Sequence, residues 1–325
     1  MPRGFTWVDH ERLIRFGDDA LAEAPELLRS RGFDRFTAFT TDRWVERAAE
    51  LGAAEVVRVP PGRVDDISAE LVDRTEAKPL VALGGGRVVD TAKAIAAAQD
   101  VPVAALPTTL SGAEMTGFHR VPPGVQRMVR PSLVIAVPQL MASQPEPGVY
   151  ASAMNALAHA VEALYVPLAN PVTDMAALRA AQLLASDDPE SLSLGAILAG
   201  YASGATGIAV HHVLGQTIVR TTGAPHAQTY AALLPHTVKL MVRRADEPLS
   251  RLAEALGDTS ADPDAAPGLV RELASRAQVD GLRSLGMERS HISPVLDEAM
   301  RRPQFQDTPS PPTRKELEVL LETAL

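Results

Sequence analysis

The chain lacks cysteine, is poor in aromatic residues and has no long apolar run. Cysteine is absent from its 325 residues, and Phe, Trp and Tyr together make up 4%. Without cysteine there can be no disulfide, zinc–thiolate site or thiol nucleophile. No uninterrupted apolar segment approaches the ~20 residues that cross a bilayer, and the N-terminal "MPRGFTWVDHERLIRFG" lacks the apolar core of a secretory signal. These absences predict a cytoplasmic protein without a membrane span.

Basic residues are also fewer than acidic residues. The formal net charge is −9 and the sequence pI is about 5.4, which argues against a nucleic-acid or anionic-membrane partner. With 46% hydrophobic and 22% charged residues, the composition is that of a globular chain. The chain is long for a single hydrophobic core and long enough for two domains.

The pattern of secondary structure changes near residue 148. Before it, apolar strands such as "FTAFTTD", "EVVRVP", "PLVAL", "VPVAALPTT" and "PSLVIAVP" alternate with helical segments of ten or more residues, which predicts a parallel sheet with crossover helices. After the Pro- and Gly-containing "MASQPEPGVY", a candidate hinge, every segment has a helical pattern. The prediction is therefore an α/β domain over 1–148 and an all-α domain over 149–325.

A glycine turn is the first candidate binding element. "PLVALGGGRVVDTAKA" places Gly84, Gly85 and Gly86 between a strand and a helix, where free N–H groups attract a phosphate. The alternative is a tight turn that needs positive φ, and the segment is not the GxGxxG fingerprint. Asp90 and Lys93 follow on the first turns of the helix, within reach of a nucleotide.

Polar residues follow two other predicted strands. Asp42 comes after "FTAFTTD", where its carboxylate could accept a hydrogen bond from a ribose 2′-hydroxyl, although it could equally cap a helix. Thr108, Thr109 and Ser111 come after "VPVAALP". Open α/β sheets bind ligands at the carboxyl ends of their strands, so this recurrence favours a cofactor site.

Imidazoles dominate the second half. Five of the eight histidines lie between residues 159 and 236. Asn155 and His159 in "NALAHAVEALY" share one helix face by their four-residue spacing, and His212 is predicted near the end of a small-residue helix. Together with His226 they would form a catalytic or metal site if the fold brings them together, whereas a lone histidine is usually a core or surface residue.

These motifs resemble the iron-containing (group III) alcohol dehydrogenase family, and within it the maleylacetate reductases. The resemblance rests on "GGGRVVDTAKA", "LPTTLSGAEMT", "NALAHAVEALY", "HHVLGQT" and "PHAQTYAALLPH", in the family's order. It implies the dehydroquinate synthase-like fold of that family, with an N-terminal dinucleotide-binding domain, a C-terminal helical domain and an active site in the cleft between them. It also implies a homodimer.

The resemblance also implies roles for individual residues. In metal-dependent members an aspartate and three histidines hold iron or zinc, and these positions correspond to Asn155, His159, His212 and His226. The amide replaces the only anionic ligand, which weakens binding of a divalent ion, and maleylacetate reductases have asparagine there. The expectation is a metal-free catalytic set of these four residues, while a zinc or iron site on the three histidines stays possible.

Some positions depart from the family pattern. Gln216 and Tyr230 stand where relatives usually have histidine, and the loop "GFHRVPPGVQRMVRP" looks shorter than its counterpart. These changes fall on the substrate side of the predicted site rather than on the cofactor half.

The resulting hypothesis is reduction of an activated C=C bond by NADH, with NADPH possible, as in the conversion of maleylacetate to 3-oxoadipate. A small carboxylate-bearing substrate needs cations, for which Arg120, Arg130 and Arg220 are candidates. The alternatives are a metal-dependent alcohol or aldehyde dehydrogenase, a dehydroquinate synthase-like lyase, and an NAD-binding protein without turnover. The lyase is disfavoured because only Lys239 and Lys315 supply lysine in the helical half.

Overall fold

The structure is a computed structural model that describes residues 4–120, 125 and 127–325. It divides into two compact units, Met1–Ser143 and Gln144–Leu325. The sequence placed this division between residues 148 and 149. Residues 121–124 and 126, part of the loop that looked short beside its family counterpart, lie outside the described residues.

The first unit is built on a seven-stranded sheet within the described residues. Its order is β1-β2-β7-β6-β5-β3-β4, with β1 antiparallel to β2 and all other neighbours parallel. The strands are β1 (Gly4–Asp9), β2 (Arg12–Gly17), β3 (Thr37–Thr40), β4 (Glu55–Arg58), β5 (Leu80–Gly84), β6 (Val103–Pro107) and β7 (Leu133–Ala136).

Helices cover both faces of this sheet because interior strands such as β5 are apolar on both sides. Val81 and Leu83 enter one core cluster with α1, while Leu80 and Ala82 enter another with α4. Continuous apolar strands of this kind are typical of parallel sheets. The helices of the first unit are α1 (Ala20–Ser30), α2 (Val45–Glu50), α3 (Val64–Leu71), α4 (Gly86–Gln99) and α5 (Pro138–Met141).

The N-terminal hairpin of β1 and β2 was not predicted, and the sheet is therefore not purely parallel. Its strands mix charged and apolar residues without a clear strand pattern. The turn has no Asn-Gly or Asp-Gly pair, the usual hairpin signal, and its positive φ of 56° falls on His10. β2 is largely buried and pairs along its edge with β7, a contact between segments that lie far apart in the chain.

In the described residues the second unit contains helices and no strand, which confirms the predicted all-α half. Helix α6 is almost wholly buried among its neighbours, because its small residues allow close packing. The helices are α6 (Glu146–Ala163), α7 (Pro171–Leu184), α8 (Pro189–Thr206), α9 (Val210–Thr222), α10 (His226–Met241), α11 (Asp246–Ala255), α12 (Ala266–Ser275), α13 (Ile292–Ala299) and α14 (Arg314–Ala324).

The segment "LSLGAILAGYASGATGIAVHHVLGQTIV" is not one helix. It breaks at Gly207, whose φ of 102° ends α8, and α9 restarts at Val210. His211 and His212 therefore begin a helix instead of ending one, which corrects the prediction from sequence. No single helix of the described residues is long and apolar enough to cross a membrane; α8 and α9 reach that length only together, across a 101° bend.

Candidate active site

The glycine turn of the first unit joins the carboxyl end of β5 to the start of α4. Gly85 is the N-cap of α4 and, as a glycine, has no side chain with which to cap this helix. The first N–H groups of a helix have no partner within it, so an uncapped start is suited to an anion.

The glycines are required by close packing and not by backbone conformation. Gly84, Gly85 and Gly86 have no positive φ, so the alternative of a turn that needs positive φ is wrong. A Cβ on Gly85 would lie 2.8 Å from Cγ2 of Thr109, and a Cβ on Gly86 would lie 3.0 Å from Oγ of Ser111. The glycines therefore let the 108–111 segment pack directly against the turn.

The hydroxyl residues after β6 lie where the sequence placed them. Thr108 donates its backbone N–H to the carbonyl oxygen of Gly84 at 3.0 Å, which fixes the segment beside the turn. Within the described residues, the Thr109 hydroxyl is buried with no hydrogen-bond partner. A buried hydroxyl beside an uncapped helix start fits a phosphate-bearing ligand.

Lys93 has a different role from the one that the sequence suggested. Its side chain is fully buried, and its ammonium group donates to Asp90 at 2.8 Å and to the carbonyl oxygens of Ala113 and Phe118 at 2.9 and 2.7 Å. These three acceptors use all the N–H groups of a lysine. Lys93, paired with Asp90, therefore holds the 113–118 loop against α4, and its ammonium group has no N–H left for a nucleotide.

Glu114 lies in the same loop and is fully buried. Neither of its carboxylate oxygens has a hydrogen-bond partner in the described part of the chain. Burial raises the pKa of Glu114 to about 7, and Lys93 and Arg12 oppose that rise only in part. Sequence analysis did not single out this residue, because a glutamate in a polar loop usually faces solvent.

Asp42 lies just beyond the carboxyl end of β3, where a short 3₁₀ turn begins. It does not cap that turn, since Thr41 is the N-cap residue. Its carboxylate is largely exposed and pairs with Nε of Arg58 at 2.9 Å.

The second unit brings three of the predicted imidazoles together with Tyr230 and Asn155. The rings of His159 on α6 and His212 on α9 stack with centroids 3.9 Å apart. His226, at the start of α10, stacks on Tyr230 at 4.3 Å, and Tyr230 lies 5.1 Å from His212. Asn155, one helical turn before His159, is buried on the same face of α6.

Glu162 organises this cluster. Its Oε1 accepts hydrogen bonds from the backbone N–H groups of His211 and His212 at 2.7 and 3.2 Å, so it caps the start of α9. Its Oε2 shares a 2.6 Å hydrogen bond with Nδ1 of His212. A carboxylate on Nδ1 sets the orientation and tautomer of an imidazole. Nε2 of His212 is buried and has no hydrogen-bond partner within the described residues.

Two hydroxyls hold the neighbouring rings. Oγ of Ser203 lies 2.9 Å from Nδ1 of His159, and Oγ1 of Thr237 lies 2.9 Å from Nδ1 of His211. Neither residue was predicted. Serine and threonine are too common in helices for one sequence to mark them.

Burial disfavours charge on the residues of this cluster. It lowers the pKa of His159 well below its usual value, and lowers the pKa of His211 to about 3. Burial, followed by the positive charges of His226 and Arg302, lowers the pKa of His212 to about 3. Burial also raises the pKa of Glu162. The uncharged forms of both members of the Glu162–His212 pair are thus favoured.

Tyr230 occupies its place because Gly215 leaves room for it. A Cβ on Gly215 would lie 2.8 Å from Cε2 and 2.9 Å from Cζ of the tyrosine ring. Tyr230 is fully buried, whereas Gln216, the other departure from the family pattern, is partly exposed on α9. The phenol ring therefore lies inside the cluster, next to the ring of His212.

The side chains at the family's metal position do not fit a divalent ion. Among the described residues, no three His, Cys, Asp or Glu side chains are arranged to hold one. His159 and His212 present ring faces to each other, whereas ligation needs imidazole nitrogens that converge on one point. The Glu162 carboxylate, which lies at the rings, is occupied by His212 and the start of α9.

Two of the three candidate arginines have an acidic neighbour, and the third packs within the first unit. Arg220 is 3.7 Å from Glu298, and Arg120 is 3.7 Å from Asp65. Arg130 packs near Gly117 of the first unit. Arg302, which the sequence did not single out, is partly buried and close enough for its charge to act on His212.

Comparison with known proteins identifies the family. Residues 12–121 match the model of iron-containing alcohol dehydrogenase, and residues 149–325 match the C-terminal model of the Fe-containing alcohol dehydrogenase family. Maleylacetate reductase 1 of Rhodococcus opacus is 35% identical over 81% of this chain and 77% of its own length. Maleylacetate reductase of Burkholderia cepacia is 32% identical over 96% and 95%, respectively.

Solved structures agree with this result. The crystal structure of maleylacetate reductase from Agrobacterium tumefaciens has a TM-score of 0.84 at 27% identity and covers 100% of this chain and 99% of its own. That from Rhizobium sp. strain MTP-10005 has a TM-score of 0.83 at 27% identity, with the same coverage. The resemblance and fold inferred from the sequence are confirmed: the chain belongs to the iron-containing alcohol dehydrogenase family and is an oxidoreductase.

Proposed function

We propose that this chain is a maleylacetate reductase that uses NADH to reduce the activated C=C bond of maleylacetate, forming 3-oxoadipate, without a required metal. The observation that carries the proposal is the buried Glu162–His212 pair, which can deliver a proton where metal-dependent relatives would hold an ion. The names of the relatives support the choice of substrate.

The first unit would hold the cofactor. The uncapped start of α4 at Gly85 and Gly86 would bind the pyrophosphate, with Thr108, Thr109 and Ser111 beside it. Asp42 would accept a hydrogen bond from a ribose hydroxyl. The bound cofactor supplies a hydride to the substrate.

Hydride addition to an enone leaves an enolate, which must gain a proton on carbon. With Glu162 protonated on Oε2, Nδ1 of His212 accepts that hydrogen bond and Nε2 carries hydrogen. Nε2 can then donate its proton while Nδ1 takes the proton of Glu162. The pair passes one proton without placing an imidazolium in the buried cluster, where charge is disfavoured.

The other residues of the cluster would orient the substrate. Asn155 and His226 can hydrogen-bond to its carbonyl, and His159 is held by Ser203 beside His212. Arg302 would bind a substrate carboxylate, since its charge already acts on His212. A carboxylate there would offset the charge of Arg302 next to the cluster.

The test is NADH oxidation by the purified protein with maleylacetate and with simple aldehydes, each with and without EDTA, alongside metal analysis. We expect turnover of maleylacetate that EDTA does not change, and substoichiometric metal. Stoichiometric iron or zinc with EDTA-sensitive aldehyde reduction would instead establish the metal-dependent dehydrogenase. Cofactor binding without any turnover would establish a non-catalytic protein.

A further inference from the structure

Two opposite charges lie at the carboxyl ends of the adjacent strands β3 and β4. Thr40, the last residue of β3, is in register with Arg58, the last residue of β4. Asp42 follows two residues beyond Thr40, and its Oδ1 lies 2.9 Å from Nε of Arg58. The pair is well exposed, with 66% of the Arg58 side chain and 90% of the Asp42 side chain accessible.

This pair is next to the glycine turn. β3 is the direct neighbour of β5, with Thr40 in register with Leu83. The hydroxyl of Thr40 donates to the carbonyl oxygen of Leu83 at 2.7 Å, which ties the end of β3 to the residue before Gly84. A dinucleotide whose pyrophosphate lies on the glycine turn would therefore extend its adenosine ribose toward Asp42 and Arg58.

The two side chains make opposite demands on the ribose. The Asp42 carboxylate can accept a hydrogen bond from a 2′-hydroxyl, but it repels a 2′-phosphate. The Arg58 guanidinium is a planar fork that binds phosphate through two parallel N–H bonds. Its ion pair with Asp42 is made through Nε, and no hydrogen bond from its guanidinium is found among the described residues.

The contact between them is easily exchanged. An exposed ion pair contributes little to stability, because water screens both charges. Arg43, the neighbouring arginine in the chain, is committed elsewhere: its guanidinium lies over the Trp44 ring and donates to the carbonyl oxygen of Ser143. Arg58, unlike Arg43, is therefore free to turn from Asp42 to a phosphate.

Building on the proposed function, we propose that Asp42 and Arg58 form a subsite that accepts either a ribose 2′-hydroxyl or a 2′-phosphate. Arg58 is the residue that admits NADPH beside NADH. When the phosphate binds, the guanidinium leaves Asp42 and faces the phosphate, so that the carboxylate repulsion is offset. When NADH binds, the ion pair remains and Asp42 accepts the hydroxyl.

Binding measurements test this without turnover. The probes are NADH, NADPH, AMP and adenosine 2′,5′-bisphosphate, titrated calorimetrically into the wild-type chain and Arg58→Ala. We expect Arg58→Ala to weaken NADPH and adenosine 2′,5′-bisphosphate about tenfold or more, the loss expected for a charge-assisted phosphate contact. Binding of NADH and AMP should change by less than about twofold.

Three controls sharpen the result. Arg74→Ala removes an arginine of similar exposure, paired with Glu70, and should leave all four affinities unchanged. Arg58→Lys keeps the charge without the fork and should give an intermediate NADPH affinity. Asp42→Asn should strengthen NADPH relative to NADH. Circular dichroism of each variant checks that the fold is retained.

The outcomes separate this inference from the proposed function. Equal effects of Arg58→Ala on NADH and NADPH, or a wild-type chain that binds NADH but not NADPH, would overturn the role of Arg58 and leave the reductase intact. A wild-type chain that binds none of the four probes would overturn both.

Discussion

Replacing Glu162 with glutamine tests the proton relay with almost no change of shape. The glutamine oxygen can still accept the backbone N–H groups of His211 and His212, which lie 2.7 and 3.2 Å from Oε1 in the wild type. Its amide nitrogen, however, can only donate to Nδ1 of His212. Nε2 then keeps its proton permanently, because no second proton is available to replace it.

The size of the effect follows from that loss. General acid catalysis by a positioned side chain contributes roughly 10²–10⁴-fold to a rate, so we expect kcat to fall by about that factor. KM should change little, since Glu162 is reached only through His212 and the start of α9. Stability should change by about 1 kcal/mol or less, because burial already favours an uncharged Glu162 and the hydrogen bonds are retained.

The assay is steady-state NADH oxidation across the pH range, with urea denaturation as a check on folding. Thr237→Val is the matched control: it removes the hydrogen bond to Nδ1 of His211, a ring that has no part in the relay, and kcat should stay within a few-fold. A glutamine variant at position 162 that is stably folded and keeps kcat within threefold of wild type would refute the relay.

Three further predictions concern stability and substrate binding. Glu114→Gln should stabilise the chain above pH 7, because the pKa of Glu114 is raised from 4.5 to about 7. The contribution of the protonated carboxyl to the free energy of unfolding is complete below pH 4.5. It is lost as the pH rises through 7, by up to about 3 kcal/mol. Urea denaturation at pH 5 and 8 checks it, and an equal effect at both would contradict it. Gly215→Ala should lower the free energy of unfolding by about 1–3 kcal/mol in the wild type and by clearly less in a Tyr230→Ala background. A double-mutant cycle measures the difference, and additive losses of stability would disprove the steric contact. Arg302→Gln should raise KM for maleylacetate about tenfold with a smaller change in kcat, and Arg220→Gln, which removes the partner of Glu298, should not.

Much of the first unit could be predicted because its signals are local. Each parallel strand is a short apolar run flanked by turn residues, and β5 illustrates this with five buried residues in succession. The hairpin of β1 and β2 was missed because its stability comes from pairing with β7, more than a hundred residues away. The local sequence of β1 and β2 does not indicate which distant strand will pair with them.

Local signals also explain which residues of the candidate site the sequence could point to. Asn155, His159 and His212 stand in recognisable motifs, whereas Glu162 looks like an ordinary polar residue on a helix. Only the packing of α9 against α6 places its carboxylate on two backbone N–H groups and an imidazole. Lys93 shows the reverse error: near a glycine turn a lysine suggests a phosphate contact, but burial committed its ammonium group to three protein acceptors.

By itself, the sequence determined the residue types that the chemistry needs and the family to which they belong. It supplied glycines where the 108–111 segment must approach a helix start, and an amide at Asn155, where the resemblance implies a metal-binding carboxylate. The tertiary structure decided which groups share protons and which remain charged. Hydrogen-bond partners and desolvation depend on contacts between distant segments, and they turn His212 into one member of a buried pair and Lys93 into an internal brace.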